Sequence, residues 1–301
     1  MPIRVGFVGA GSWVLDALGP AVANHPEYEV GGVWARDPER GRCAAKSIGG
    51  NAFHDLEPML EGMDAVVLGV PPRFQPDFAV AAAQRGCAVW LEKPFAEANA
   101  DLVSHVAQLR AASVPVFFHL PYREAEQVLH LAEWAKRKDL QHLQVRFISG
   151  SKLRDQANGG GWRSTPRQGV MLDLGPHAIG LAEQVAGPIR TVEVHWLEDG
   201  FELVATHDVA TSTITVMSAV AIDPSITSVE AFAGNEAGFG NGYCFADARA
   251  ESLETRLGRS LDRFASFVIE GTPNESCGLD EAVHLQQVLN RLLIDEEHEN
   301  I

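Results

Sequence analysis

Ile3-Arg4-Val5-Gly6-Phe7-Val8-Gly9-Ala10-Gly11-Ser12-Trp13-Val14 decides the fold of this chain. A short apolar run ends in Gly9-Ala10-Gly11 and passes directly into a segment of helical period, Trp13–Asn24. In a strand–turn–helix of this kind Gly9 permits the tight turn, and Gly11 lets backbone N–H groups approach a phosphate. Ser12 and Trp13 open the helix, whose N-terminus faces negative charge. The spacing predicts a dinucleotide cradle formed by Gly9, Ala10, Gly11, Ser12 and Trp13. Val14 holds the place of the third glycine, where a small residue normally lets helix and strand pack closely. A modest shift of the helix is expected there.

Working outward, the first 120 residues repeat the same alternation. Apolar runs at Val5–Val8, Val30–Trp34, Ala65–Val70, Ala88–Leu91 and Val116–Phe118 are separated by helical patterns at Pro38–Ser47, Phe74–Arg85 and Glu97–Ala112. Near-continuous apolar strands alternating with helices predict a doubly wound parallel sheet, a Rossmann domain spanning 1–120. After Pro121 the pattern changes. A helix at Arg123–Lys138, a strand at about 142–149, a polar loop Ser151–Gln168 with Gly159-Gly160-Gly161, and a helix near Pro176–Ala186 follow. Then strict alternation sets in, as in Thr191–Trp196, Thr213–Met217 and Ile226–Ala233, before helices around Leu253–Glu270 and Leu279–Glu297. One-sided strands predict a second α+β domain, 121–301, with a mostly antiparallel sheet.

Composition supports this division. At 301 residues the chain is long enough for two cores, and 46% apolar with 21% charged residues is ordinary for a globular protein. The 24 Lys and Arg against 40 Asp and Glu leave a formal charge of −16. Such a chain repels nucleic acid and anionic membranes. No apolar stretch is long enough to span a bilayer, and the N-terminus lacks the plan of a signal peptide, so a cytoplasmic location is expected. Cys43, Cys87, Cys244 and Cys277 stand singly, which reads as free thiols in a reducing compartment rather than a metal or disulfide framework. His25, His54, His105 and His130 show no metal-ligand spacing either.

The second strand selects among cofactors. An NAD site usually ends this strand in an acid that binds the ribose hydroxyls. Here the strand ends Trp34-Ala35-Arg36-Asp37. Ala35 leaves room for a 2′-phosphate and Arg36 can bind it, which favours NADP over NAD. The alternative has Arg36 solvated and Asp37 on the ribose, but Asp37 precedes Pro38 and suits the N-cap of the next helix.

Further motifs bear a family likeness. Ala65–Val70 ends in Pro71-Pro72, and Ala88–Leu91 ends in Glu92-Lys93-Pro94. Trp162-Arg163 lies in the glycine-flanked loop, and Asp173 stands four residues before His177. In this order the motifs resemble the Gfo/Idh/MocA family, named for glucose–fructose oxidoreductase, inositol dehydrogenase and rhizopine catabolism. Departures are Val14, Gln75 where a His often follows the double proline, and Gly180 where an Asp often follows the motif His.

The resemblance implies an NAD(P)-dependent oxidoreductase moving hydride between nicotinamide and a sugar, polyol or sugar-derived carbonyl. It places Val70, Pro71, Pro72, Glu92 and Lys93 along the cofactor, with Lys93 also on substrate. It implies that Trp162 stacks on the cofactor and that Arg163 contacts substrate or cofactor; the alternative is a loop whose Trp covers core. His177 is the natural proton partner, because imidazole titrates near neutrality. Asp173 fixes the His tautomer or binds substrate. Gly175-Pro176 suggests a helix starting at Pro176 with Asp173 just outside; a helix reaching further back would put Asp173 and His177 on one face. Arg123 is given a structural or crevice role. Relatives commonly pair through the second-domain sheet, so a homo-oligomer is expected. A non-catalytic NADP-sensing protein of the same fold is the competing reading, and a redox-cycling elimination on a glycoside is a third.

Overall fold

The computed structural model describes residues 1–157, 161–222, 225–234, 242–271 and 277–298. They gather into two compact units: Met1–His119 with Glu254–His284, and Leu120–Leu253 with the residues from Leu285 onward. The chain thus returns to the first unit after its second sheet is complete, which a single boundary near residue 120 does not anticipate.

The first unit is built on six parallel strands in the order β3-β2-β1-β4-β5-β6. These are β1 (Ile3–Val8), β2 (Tyr28–Trp34), β3 (Asn51–Phe53), β4 (Ala65–Leu68), β5 (Ala88–Leu91) and β6 (Val116–Phe118). Every residue of β4 and β5 is buried, as an all-apolar run in a sheet covered on both faces requires. The connecting helices are α1 (Gly19–Asn24), α2 (Pro38–Ile48), α3 (Leu56–Leu60), α4 (Gln75–Ala83) and α5 (Val103–Ala112). A π-helical turn, Val14–Leu18, leads into α1. α5 starts later than its apolar pattern suggests: Asn99 takes φ +57°, and the Asp101 carboxylate accepts from the Val103 N–H at 3.1 Å.

Helix α9 (Leu253–Glu270) accounts for the return to the first unit. Its buried face carries Leu257, Leu261, Phe264 and Phe267. Phe264 meets Trp90 edge-on at 5.3 Å and Phe117 at 5.7 Å, and the Tyr28 hydroxyl donates to the Leu261 carbonyl at 2.7 Å. The aromatic side chains of β2, β5 and β6 therefore find their cover in a helix far along the sequence.

The second unit holds a six-stranded sheet in the order β12-β11-β7-β10-β9-β8. Its strands are β7 (Leu140–Ile148), β8 (Thr191–Leu197), β9 (Gly200–Thr206), β10 (Thr211–Met217), β11 (Ile226–Ala233) and β12 (Tyr243–Asp247). β7 and β10 pair in parallel and all other neighbours are antiparallel. Helices α6 (Glu126–Ala135) and α8 (Gln168–Ala186) pack on one face, over Leu143, Val145, Phe147, Ile214 and Val216. The opposite face exposes Val204, Phe232, Tyr243 and Phe245.

Two local expectations are corrected. The segment read as a polar loop forms helix α7 (Ser151–Ala157) and a 3-10 turn, Trp162–Ser164; Gly159 and Gly160 lie outside the described residues. Helix α8 begins at Gln168, so Pro176 is internal and Asp173 is helical. An interior proline costs one backbone hydrogen bond, yet every residue from Gly169 to Ala182 is buried, and that packing outweighs the loss. Helix α10 (Leu279–His298) contributes Leu289, which Gly175 of α8 admits: a Cβ there would lie 2.8 Å from Leu289 Cδ2. Among the described residues no helix is long and apolar enough to cross a membrane.

Candidate active site

The turn after β1 is shaped by what cannot fit there. Gly9 takes φ +111°, and a Cβ on it would lie 2.3 Å from the Gly69 carbonyl oxygen. Only glycine meets both conditions. The Gly9 N–H donates to the Trp34 carbonyl and the Gly69 N–H to the Val8 carbonyl, both at 2.8 Å. The ends of β1, β2 and β4 are thereby fixed side by side. Val14 does not intrude: it is fully buried beneath the turn, and its methyl group occupies the space that Gly69 leaves open.

A cavity of about 350 Å³ opens at this place, where the strand order reverses. Such a reversal is where open parallel sheets bind ligands, and the volume suits part of a nucleotide. Gly9, Ala10, Gly11, Gly69, Val70 and Pro71 line it, together with Trp34, Ala35, Arg36, Phe74, Phe78, Arg40 and Arg73. Ser12, Trp13 and Pro72 are not among the lining residues; Ser12 is exposed beside the turn and Pro72 is buried.

The lining is locally basic in a chain of formal charge −16. Arg36, Arg40 and Arg73 all border it, against one acid, Asp37. That acid is occupied: Asp37 Oδ1 accepts from the Glu39 N–H at 2.9 Å and the Arg40 N–H at 3.4 Å, capping α2. Arg40 Nη2 donates to the Ala10 carbonyl at 3.5 Å, so its guanidinium folds back over the turn. Arg73 lies 4.4 Å above the Phe74 ring. Two turn glycines without Cβ atoms, an apolar lining and three cations fit a phosphate-bearing nucleotide. Sequence reasoning missed Arg40 and Arg73. Arg40 had a usable signal, lying one helical turn beyond Arg36 in the first turn of α2; Arg73 had none.

β5 runs into Glu92-Lys93-Pro94, where the Lys93–Pro94 peptide is cis. Lys93 is half-buried. The Glu92 side chain, 12% exposed, accepts from Trp90 Nε1 at 3.1 Å and His119 Nδ1 at 2.8 Å. His119 is wholly buried between Trp90, at 4.6 Å, and Trp13, at 6.4 Å. Burial pushes the Glu92 carboxyl up, but the charge and hydrogen bond of His119, with the Trp90 indole, outweigh it and hold the group below the ordinary carboxylate range. Trp13 thus meets this buried pair rather than the cavity.

The second unit gathers the other motif residues. Asp173 and His177, both nearly buried, lie one turn apart on α8 and share a face. The His177 ring stacks on Phe147 at 5.6 Å and 8°, with Tyr122 edge-on at 5.0 Å, which fixes its plane. Arg163 Nε donates to Asp173 Oδ1 at 3.0 Å while the guanidinium lies 4.4 Å over the Trp162 ring. Trp162, Arg163 and Asp173 therefore form one connected group. Gly180 has a packing reason: a Cβ there would lie 3.0 Å from Leu120 Cδ1 and 3.5 Å from Arg123 Cδ. Arg123 is buried and donates through Nε to Gln184 Oε1 at 2.8 Å, a contact within the second unit. Among the described residues no group of three His, Cys, Asp or Glu side chains could hold a metal ion.

A model described as an oxidoreductase family with an NAD-binding Rossmann fold matches residues 3–120. The chain is 26% identical over 195 residues to dTDP-3,4-didehydro-2,6-dideoxy-alpha-D-glucose 3-reductase of Streptomyces antibioticus, covering 62% of this chain and 57% of that protein. The match spans less than two thirds of the curated relatives' own length. The fold is that of GenD2 from gentamicin A biosynthesis, solved with NAD (TM-score 0.78, 18% identity, 98% of this chain and 95% of that one). It is equally that of KijD10, a 3-ketoreductase from Actinomadura kijaniata solved with NADP and TDP-benzene (TM-score 0.78, 16% identity, 98% of each chain).

Proposed function

We propose, from the match of residues 3–120 to the oxidoreductase family model and the resemblance of the motifs to the Gfo/Idh/MocA family, that this chain is a nicotinamide-dependent oxidoreductase acting on a sugar, polyol or sugar-derived carbonyl. The observation that carries this reading is the basic, glycine-floored cavity at the strand-order reversal. The Streptomyces relative, by its name a reductase of a dTDP-linked keto sugar, supports a carbonyl of that kind as substrate.

A nicotinamide bound in the cavity would supply the chemistry of hydride transfer at the substrate carbon. The chain must then manage one proton and one developing negative charge on oxygen. In the reducing direction His177 gives its proton to the carbonyl oxygen, and the Lys93 ammonium hydrogen-bonds that oxygen as charge builds. In the oxidising direction His177 takes the hydroxyl proton. Phe147 and Tyr122 hold the imidazole plane, so little reorientation accompanies the transfer. Asp173 anchors Arg163, whose guanidinium lies over the Trp162 ring and would contact substrate or a polar edge of the cofactor. Gly9, Ala10 and Gly11 would hold the pyrophosphate, with Val70 and Pro71 bordering the remainder of the nucleotide.

NADP is the preferred cofactor. Ala35 carries no carboxylate to repel a 2′-phosphate, Asp37 is engaged as a helix cap, and Arg36, Arg40 and Arg73 surround the place. The open face of the second sheet, with Val204, Phe232, Tyr243 and Phe245, forms a homo-oligomer interface. The chain works in the cytoplasm on a small carbohydrate-like molecule. The test is NADPH oxidation against a panel of keto sugars and nucleotide-linked keto sugars, with NADH in parallel. Turnover with at least one keto sugar supports the reading, and tight NADPH binding with no turnover on any carbonyl overturns it in favour of a sensor.

A further inference from the structure

Gln75 opens α4, is 1% exposed, and takes no part in the cavity lining. Its carboxamide is spent on the backbone around Lys93. Nε2 lies 2.6 Å from the Glu92 carbonyl oxygen, 2.9 Å from that of Pro94 and 3.1 Å from that of Phe95. Oε1 accepts from the Glu92 N–H at 2.7 Å. One side chain therefore meets four backbone groups on both sides of a single lysine. Pro94 brings no N–H of its own to the turn, so acceptors outnumber local donors, and the two Nε2 hydrogens make up the deficit. The Glu92 side chain is tied separately, to Trp90 and His119. Everything about the residue before Lys93 is thus fixed, by groups that are themselves buried.

We propose that Gln75 is the positioning residue for Lys93, its carboxamide setting the peptide planes on either side of the lysine and hence the line along which the ammonium group extends. This inference rests on the role assigned to Lys93 above. Lysine has a long flexible stem, so the place of its ammonium depends on how firmly its own backbone is held. A displacement of about 1 Å at a reacting centre can cost roughly a hundredfold in rate. A carboxamide offers two donors and an acceptor on one group, whereas an ionised Glu has no donor, a neutral His offers one donor and one acceptor, and Asn carries the same group one methylene shorter.

The test uses Gln75→Leu, Gln75→Glu and Gln75→His, each alone and in a Lys93→Ala background. With a substrate found in the panel, Gln75→Leu is expected to lower kcat about ten- to hundredfold while NADPH affinity stays within about threefold. Gln75→His, which restores one donor and one acceptor, is expected to recover part of the loss. In Lys93→Ala protein Gln75→Leu should add less than about a twofold further loss, because its effect passes through the lysine. Equal losses in both backgrounds, or an unchanged kcat in Gln75→Leu protein, overturn the proposal. A Lys93→Ala protein as active as wild type instead overturns the role of the lysine itself, so the two failures are distinguishable. A readout independent of turnover, made on the conservative variants, serves where Gln75→Leu protein folds poorly or no substrate is found. The chain has only five lysines, so the ε-carbon signal of Lys93 in lysine-labelled protein can be assigned with Lys93→Arg. In folded Gln75→Glu or Gln75→His protein that signal should move while the other four stay in place; five unmoved signals contradict the inference.

Discussion

Gly69 and Val14 exchange the space that a third phosphate-turn glycine would otherwise provide: a Cβ on Gly69 would lie 2.2 Å from Val14 Cγ2. The close approach that a glycine on the helix usually allows is here allowed by a glycine on the neighbouring strand end. The large residue on the helix and the small one across from it are a matched pair, and the cavity beside them stays open.

Gly69→Ala should accordingly overpack the core beneath the turn and cost about 1–3 kcal/mol of stability. Val14→Ala introduced with it should return much of that loss, since the two side chains compete for one volume. Denaturant midpoints of the two single variants and the double variant measure the coupling. Simple additivity of the two single effects contradicts the pairing.

Arg36→Ala and Arg40→Ala should each raise the Kd for NADPH about ten- to hundredfold, the worth of a charge-assisted hydrogen bond to phosphate, and leave the Kd for NADH nearly unchanged. Fluorescence titration of both cofactors checks this. Equal losses for NADH and NADPH would place these arginines on a group common to both cofactors.

Glu92 gives a pH prediction with a definite sign. Its carboxyl is held below the ordinary carboxylate range in the folded chain. The stabilisation this represents is complete above the unfolded-chain value of about 4.3 and is lost as pH falls through the folded value. Wild type should therefore lose stability on acidification more steeply than Glu92→Gln, and the gap between the two should narrow towards low pH. Parallel denaturation midpoints from about pH 7 down to about pH 3 rule this out.

Phe245→Glu on the exposed face of β12 should shift the protein towards a smaller sedimenting species while NADPH affinity holds, because the substitution lies in the second unit and the cavity in the first. A wild-type protein that sediments as a monomer removes the proposed interface.

Much of the first unit was legible because its strands are continuous apolar runs and its turn demands glycine. β3 escaped notice: Asn51-Ala52-Phe53 is three residues long and largely exposed, so it carries no apolar run. β9 and β12 escaped for a related reason, since Glu202, Val204 and Phe245 mix polar and apolar residues on the uncovered face. The start of α8 was misplaced because Pro176 reads locally as a helix opening, whereas burial of the whole segment decides the matter. The candidate residues Lys93, Asp173 and His177 were named from spacing and resemblance. His119 and Gln75 gained their roles only through contacts made by residues 17 to 27 positions away in the chain, which no local pattern records.

The role of Lys93 is tested by comparing wild type and Lys93→Ala in NADPH-dependent reduction of whichever keto sugar wild type turns over, with NADPH affinity measured on both proteins. kcat/KM should fall at least about a hundredfold with NADPH affinity largely retained. An unchanged kcat/KM in Lys93→Ala protein contradicts that role.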